Sequence, residues 1–175
     1  MKIDTKKIVL IGLFSSISFI LTRFLSFYLL PSSRVGFGDI PIMLSGIILG
    51  PVSGAITGII SDLIGVILVP APSGAPYFPG FTITKALVGI IPALTYKYFK
   101  GSDKLKLVLS VVFTELICSL TLDTLWLSML FNKGVMVILP ARILVRLIII
   151  PIEISIMYIL LKGLVKSGNL DMDSL

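Results

Sequence analysis

Ile40-Pro41-Ile42-Met43-Leu44-Ser45-Gly46-Ile47-Ile48-Leu49-Gly50-Pro51-Val52-Ser53-Gly54-Ala55-Ile56-Thr57-Gly58-Ile59-Ile60-Ser61-Asp62-Leu63-Ile64-Gly65-Val66-Ile67-Leu68-Val69 carries one charge, Asp62, and no other ionisable side chain. A helix that crosses a bilayer takes about 20 apolar residues, so the stretch is too long for one span and short for two. Gly50-Pro51 divides it. Proline has no N–H to give, cannot sit in a helix interior without breaking a hydrogen bond, and is at home in the first turn of a new helix. Two helices placed back to back are expected, one or both short or tilted.

The rest of the chain is of the same character. Of 175 residues, 56% are hydrophobic and 14% charged, with a mean hydropathy of +1.09. A soluble domain has about 25% charged residues, so this chain lacks the polar side chains to cover a water-facing surface. The length holds six or seven spans and little else. A separate catalytic or nucleotide-binding domain of ~100 residues or more is excluded. The net charge of +6 is read through membrane topology rather than nucleic acid. The lone Cys118 forms no internal disulfide, the chain has no histidine, and no clustered zinc ligands exist.

Apolar runs give six segments. The first spans Ile8 to Tyr28, the second and third share Ile40 to Val69, and the fourth spans Phe81 to Tyr98. The fifth covers Leu107 to Phe131 and the sixth Pro140 to Leu161, followed by a polar tail, Leu164 to Leu175. The expected fold is therefore an all-α membrane protein, residues 1–175 forming one bundle of six transmembrane helices. Lys2, Lys6, Lys7, the lysine-rich loop Lys97 to Lys106, Lys162 and Lys166 fall on one side of it. Lysine and arginine mark cytoplasmic loops, so both termini are expected in the cytoplasm.

Ionisable residues inside the bilayer point to function, because a charge near its centre costs at least ~2.5–3.5 kcal/mol. The candidates are Asp62, Lys85, Glu115, Asp123, Arg142, Arg146 and Glu153. Arg142 and Arg146 are i,i+4 neighbours on one helix face, in the first two turns of the sixth segment. Glu115, Ser119, Asp123 and Trp126 make a stripe on the fifth. Lys85, Asp123, Trp126, Arg142 and Arg146 lie toward the outer side, with Asp62 deeper, so they are expected to line an outward-facing cavity. Glu115 and Glu153 are placed too far inward to meet them, as structural ion-pair residues.

The outer segment Pro70 to Gly80, with Phe81 behind it, has no charge and contains Tyr77, Phe78 and Phe81. It is read either as an interfacial aromatic belt or as an extracellular lid closing on a planar ligand.

Arg34-Val35-Gly36-Phe37-Gly38-Asp39-Ile40-Pro41, Gly46-Ile47-Ile48-Leu49-Gly50-Pro51, Ser61-Asp62-Leu63-Ile64-Gly65 and Tyr77-Phe78-Pro79-Gly80-Phe81-Thr82 resemble the substrate-binding S components of energy-coupling factor (ECF) vitamin transporters. Leu122-Asp123-Thr124-Leu125-Trp126-Leu127 and Leu139-Pro140-Ala141-Arg142 extend the likeness, which is strongest to the folate-specific subfamily. Asp123 departs from it, standing where that pattern has Asn. The resemblance implies a high-affinity folate-binding subunit in a prokaryotic plasma membrane, without cofactor or metal and not itself an enzyme. Its implied partners are a transmembrane coupling subunit and two cytoplasmic ATPases. The chain agrees in having no Gly-x-x-x-x-Gly-Lys phosphate loop.

Gly12 and Ser16 carry the small-xxx-small pattern that the resemblance assigns to the coupling contact. Gly54 and Gly58, at the same spacing, are read as internal packing. For folate, a carboxylate such as Asp62 or Asp123 suits the donor-rich pterin edge, and Trp126 with the aromatic lid suits its ring. Arg142, Arg146 or Lys85 suit the anionic tail, with Arg23 and Arg34 at the rim. The alternatives are an S component for a smaller anionic vitamin such as pantothenate, and a structural membrane subunit that binds nothing.

Overall fold

A computed structural model describes residues 5–30, 33–69 and 77–166, without the side chains of 27–35 and of 165. The elements in chain order are α1 (Thr5–Arg23), β1 (Phe27–Leu30), β2 (Ser33–Val35), α2 (Asp39–Leu49), α3 (Pro51–Leu68), α4 (Pro79–Tyr98), α5 (Asp103–Thr114), a π-helical segment (Glu115–Leu122), α6 (Asp123–Phe131) and α7 (Val135–Lys166). α5, the π segment and α6 run on as one rod, so the described residues form six helical rods. Four of them are long and apolar enough to cross a membrane: Thr5–Arg23, Pro51–Leu68, Asp103–Phe131 and, within α7, Val135–Leu164. α4 has the length, 20 residues, but carries Lys85 and Lys97. α2 has only 11 residues, about 16 Å of helix.

The division at Gly50-Pro51 is where the sequence places it. Gly50 has φ +97°, a conformation that residues with a Cβ avoid, and Pro51 opens α3. α2 compensates for its shortness by burial. Ile40, Pro41, Ile42, Met43, Leu44, Ser45, Gly46 and Ile47 are all buried, so this helix is the centre of the bundle.

Close backbone approach holds α2, α3 and α4 together. A Cβ added to Gly89 would stand 2.2 Å from the backbone of Gly54, and one added to Gly46 2.1 Å from the carbonyl oxygen of Gly89. Gly58 meets the backbone of Lys85 in the same way. Gly54 and Gly58 therefore pack internally, as expected. Small residues let helices approach this closely, and the polar groups between them then need partners. Here the Ser45 and Thr57 hydroxyls share a hydrogen bond of 2.7 Å, and Ser15 donates to the Thr57 carbonyl. Gly89→Ala is expected to cost about 1–3 kcal/mol through overpacking, read as a lower melting temperature in detergent; an unchanged melt would refute this packing.

Four boundaries differ from the sequence reading. The first helix stops at Arg23, not Tyr28, and Phe27–Leu30 pairs antiparallel with Ser33–Val35, because Phe27, Tyr28 and Leu30 suit a strand as well as a helix. The lysine-rich loop shrinks to residues 99–102, since Ser102 caps α5 by accepting from the Leu105 amide at 3.4 Å. The fifth rod thus starts at Asp103 rather than Leu107. The sixth starts at Val135, not Pro140, and runs to Lys166, so the first part of the expected polar tail is helical.

Candidate substrate-binding site

At one end of the bundle, α3, α4, α6 and the approach to α4 bring together a carboxylate, hydroxyls and aromatic rings. Thr82 donates to Asp62 Oδ2 at 2.6 Å. Its one hydrogen being spent there, Thr82 accepts from the Tyr77 hydroxyl at 2.9 Å. Trp126 Nε1 donates to Thr84 Oγ1 at 3.0 Å, which fixes the indole against α4. Phe78 packs on Trp126 with ring centroids 5.6 Å apart and meets Phe81 edge-on at 6.0 Å. Gly80 makes room for this cluster, since a Cβ there would lie 2.6 Å from both Phe78 and Trp126. Phe78 thus joins Trp126 and Phe81, while Tyr77 is tied to α4 through Thr82. Phe78 touches the indole directly, so a flat ring stacking on this face of Trp126 displaces it. Residues 70–76 of the expected lid lie outside the described residues.

A second tier is ionic. Lys85 of α4 pairs with Asp39 at the start of α2 and lies within electrostatic range of Asp123 and Asp62. Arg142 stands 3.6 Å from Asp123 and donates to the Ser119 carbonyl at 2.7 Å. Ser119 belongs to the π segment, a helical form that often marks functional sites. Arg142 Nε, Ser119 Oγ and Thr124 Oγ1 are buried without a hydrogen-bond partner among the described residues. Buried polar groups of this kind each cost about 1–3 kcal/mol unless something satisfies them.

Arg146 is further from this tier than the sequence suggests. With α7 beginning at Val135, Arg142 lies about 10 Å and Arg146 about 16 Å along the helix, so the latter is outside the first two turns. Arg146 Nη1 meets Glu115 Oε2 at 2.8 Å. The expectation that Glu115 lies too far inward to meet the arginines is thereby corrected; its role as an ion-pair residue holds. Ile138, Arg142, Val145, Ile149, Glu153, Met157 and Leu161 form the buried stripe of α7, which places Glu153 on the inward face.

Two expected rim residues stand apart. Arg23, at the end of α1, lies over α3, its guanidinium within 3 Å of where a Cβ on Gly65 would be. Arg34 is in β2, paired in register with Tyr28, and its side chain is not described. Gly12 and Ser16 face outward. Gly12 has nothing within 4 Å of an added Cβ, and the Ser16 hydroxyl folds back onto the Gly12 carbonyl at 2.8 Å.

Sequence reasoning missed Asp39, Thr82, Thr84 and Thr124, and named Ser119 only as part of a stripe. Asp39 had a signal, as a carboxylate opening a chargeless helix. The hydroxyls had none, since lone Ser and Thr residues in apolar helices commonly bond back to their own backbone, as Thr95 does here.

The sequence model for "ECF transporter, substrate-specific component" matches residues 6–161. The folate transporter FolT of Clostridium novyi (strain NT) is 36% identical over 143 residues, which cover 82% of this chain and 80% of that one. FolT of Leuconostoc mesenteroides is 25% identical over 172 residues, covering 95% and 90% of the two chains. Among solved structures, a FolT bound with folic acid superposes with a TM-score of 0.78 at 29% identity, over 90% of this chain and 93% of that one. The S component of a bacterial ECF transporter superposes at 0.70 and 21% identity, over 94% and 98%, which speaks to the fold. Family match, identity and bundle architecture agree: the chain belongs to the substrate-specific components of ECF transporters.

Proposed function

We propose that this chain is the folate-binding component of an ECF importer, capturing folate outside the cell and releasing it inside when driven by its energising partners. The observation that carries the reading is the pairing of an aromatic and carboxylate tier, Trp126, Phe78 and Asp62, with a cationic tier at Arg142 and Lys85. Folate has a flat, donor-rich ring at one end and carboxylates at the other. The similarity to a FolT solved with folic acid supports the same ligand. In this reading Asp62 accepts from the pterin, and the ring displaces Phe78 to stack on Trp126. Tyr77 and Phe81 flank it, and Arg142 holds the tail through its unpartnered Nε and a guanidinium edge. Arg146, Lys85 and Asp123 set the charge around that tail, while Arg23 and Arg34 stand at the rim.

All six rods cross the plasma membrane, α2 and α4 included. Both termini lie in the cytoplasm in this reading, which the lysines of α1, of the α4–α5 turn and of the α7 end support. Gly12 and Ser16 meet a helix of the transmembrane coupling subunit, and ATP is hydrolysed by two cytoplasmic partners.

Trp126 is the chain's one tryptophan, so its fluorescence reports on the site. Folate added to the purified protein is expected to quench it saturably, and pantothenate to leave it unchanged. Binding of pantothenate in preference to folate, by quenching or calorimetry, would overturn the reading.

A further inference from the structure

The end of the bundle away from the Asp62 and Trp126 cluster holds a cleft of its own. Tyr96 lies about 20 Å along α4 from Thr82. There the end of α4, the start of α5 and the end of α7 line a cavity of about 390 Å³. Its floor is apolar and closed: Tyr96 and Leu107 are 2% exposed and Leu161 3%. Its rim is charged, with Lys104 from α5 and Lys162 from α7 exposed beside Asp103. The cleft thus sits at the ends of two apolar spans, Asp103–Phe131 and Val135–Leu164. An apolar floor under a cationic rim at that level suits an amphiphile better than a polar solute.

The two lysines are held in place without being neutralised. The Lys104 ammonium stands 5.5 Å and the Lys162 ammonium 5.9 Å from the centroid of one ring, that of Tyr158. Neither makes an ion pair among the described residues. The face of an aromatic ring attracts a cation but leaves its charge in place, so two like charges from separate helices converge on one point. Asp103 lies 3.9 Å from Lys106, whose ammonium is 5.3 Å from the Tyr96 ring. Residues 97–106 and 158–166 carry six lysines against that one carboxylate. An anion is what this end of the bundle lacks.

The floor lacks the same thing. The Tyr96 hydroxyl is buried and has no hydrogen-bond partner among the described residues, a state that costs stability until an acceptor or donor arrives. Tyrosine and lysine also form ordinary belts at the water–lipid boundary. A belt side chain keeps its polar tip in water, whereas Tyr96 has its tip inside.

We propose that this cleft binds an anionic phospholipid. Its phosphate oxygens meet Lys104 and Lys162 and accept from the Tyr96 hydroxyl, and its glycerol and upper acyl carbons cover Leu107 and Leu161. Basic clefts between membrane helices take such headgroups. The start of α5 adds the positive end of a 12-residue helix. The apolar floor favours a lipid over free phosphate. With the topology proposed above, the lipid comes from the inner leaflet.

Native mass spectrometry of the full-length protein, delipidated in detergent and titrated with phosphatidylglycerol, phosphatidylcholine or inorganic phosphate, tests this. The native protein is expected to retain one phosphatidylglycerol in preference to phosphatidylcholine. Lys104→Gln with Lys162→Gln is expected to weaken that retention roughly 30-fold, about fivefold per lysine. Lys97→Gln with Lys100→Gln removes the same charge from the same end and is expected to change it little. Equal losses in the two double variants would show diffuse attraction to a basic surface and overturn the site. Displacement of the lipid by inorganic phosphate would overturn the choice of a lipid. Tyr96→Phe is expected to melt no lower than the native protein without lipid, and to gain less in melting temperature from phosphatidylglycerol. A gain equal to the native one would overturn the hydroxyl contact. No retention of phosphatidylglycerol would overturn the proposal; if the Lys104 and Lys162 variant then failed to co-purify with the coupling module, the cleft would belong to a protein partner instead. None of these measurements involves folate, so the lipid site stands or falls apart from the folate reading.

Discussion

Arg146→Ala is expected to destabilise the protein by about 3–5 kcal/mol, the cost of removing one partner from a buried ion pair. The reason lies in what remains behind. Glu115 is 2% exposed at its side chain and its cation partner stands 2.8 Å away; Glu153 has no ion pair among the described residues. The variant is therefore expected to melt well below the native protein in detergent, before any question of ligand arises. Adding Glu115→Gln to Arg146→Ala is expected to recover most of the loss, because the second change removes the stranded charge. A melt of Arg146→Ala equal to the native one would show that the pair contributes nothing to stability.

Arg142→Ala provides the contrast. Its carboxylate partner Asp123 lies at 3.6 Å and is 21% exposed at its side chain, so the fold is expected to tolerate the change better. Folate affinity is expected to fall roughly 30-fold or more, the order of loss when a hydrogen-bonded partner of a desolvated charge is removed.

The double substitution Gly12→Trp, Ser16→Trp is expected to abolish ATP-driven folate uptake while folate binding by the isolated protein persists. Gly12 lies about 16 Å along α1 from Arg23. Its surroundings are open, and Leu13, Ile17 and Ile20 beside it are exposed apolar side chains. An added Cβ at Gly12 meets nothing among the described residues and Ser16 is exposed, so two side chains there point away from the bundle. They do prevent a partner helix from approaching as closely as small residues allow. Co-purification with the coupling module and uptake into vesicles are the measurements, with binding in detergent as the control. Uptake at the native rate would show that the coupling contact is made elsewhere.

Gly12/Ser16 and Gly54/Gly58 also show how far sequence reaches. Both pairs have the same spacing and the same small residues, and nothing in the one-dimensional pattern separates them. The helix backbones do. Gly54 and Gly58 lie against Gly89 and Lys85 of α4, whereas Gly12 lies against nothing. The candidate site divides in a similar way. Trp126, Asp62, Asp123 and Arg142 were legible because charges and an indole are rare in apolar helices and expensive in lipid. Thr82 and Thr84, which orient Asp62 and Trp126, were not, because a hydroxyl in a helix commonly bonds back to its own backbone.

By itself the sequence determined that this is a membrane protein of six helical segments, that Gly50-Pro51 separates two of them, and which residues are too costly to bury without purpose. Composition and proline chemistry act locally, so they can be read locally. Only the tertiary structure decided which charges meet. Helix depth depends on where each helix begins, and a start at Val135 rather than Pro140 moves Arg146 down to Glu115. Pairing across helices depends on rotation and the π segment as well, neither of which leaves a mark in the order of residues. The three cations find three carboxyls on that account, and among the described residues Glu153 is buried without an ion pair.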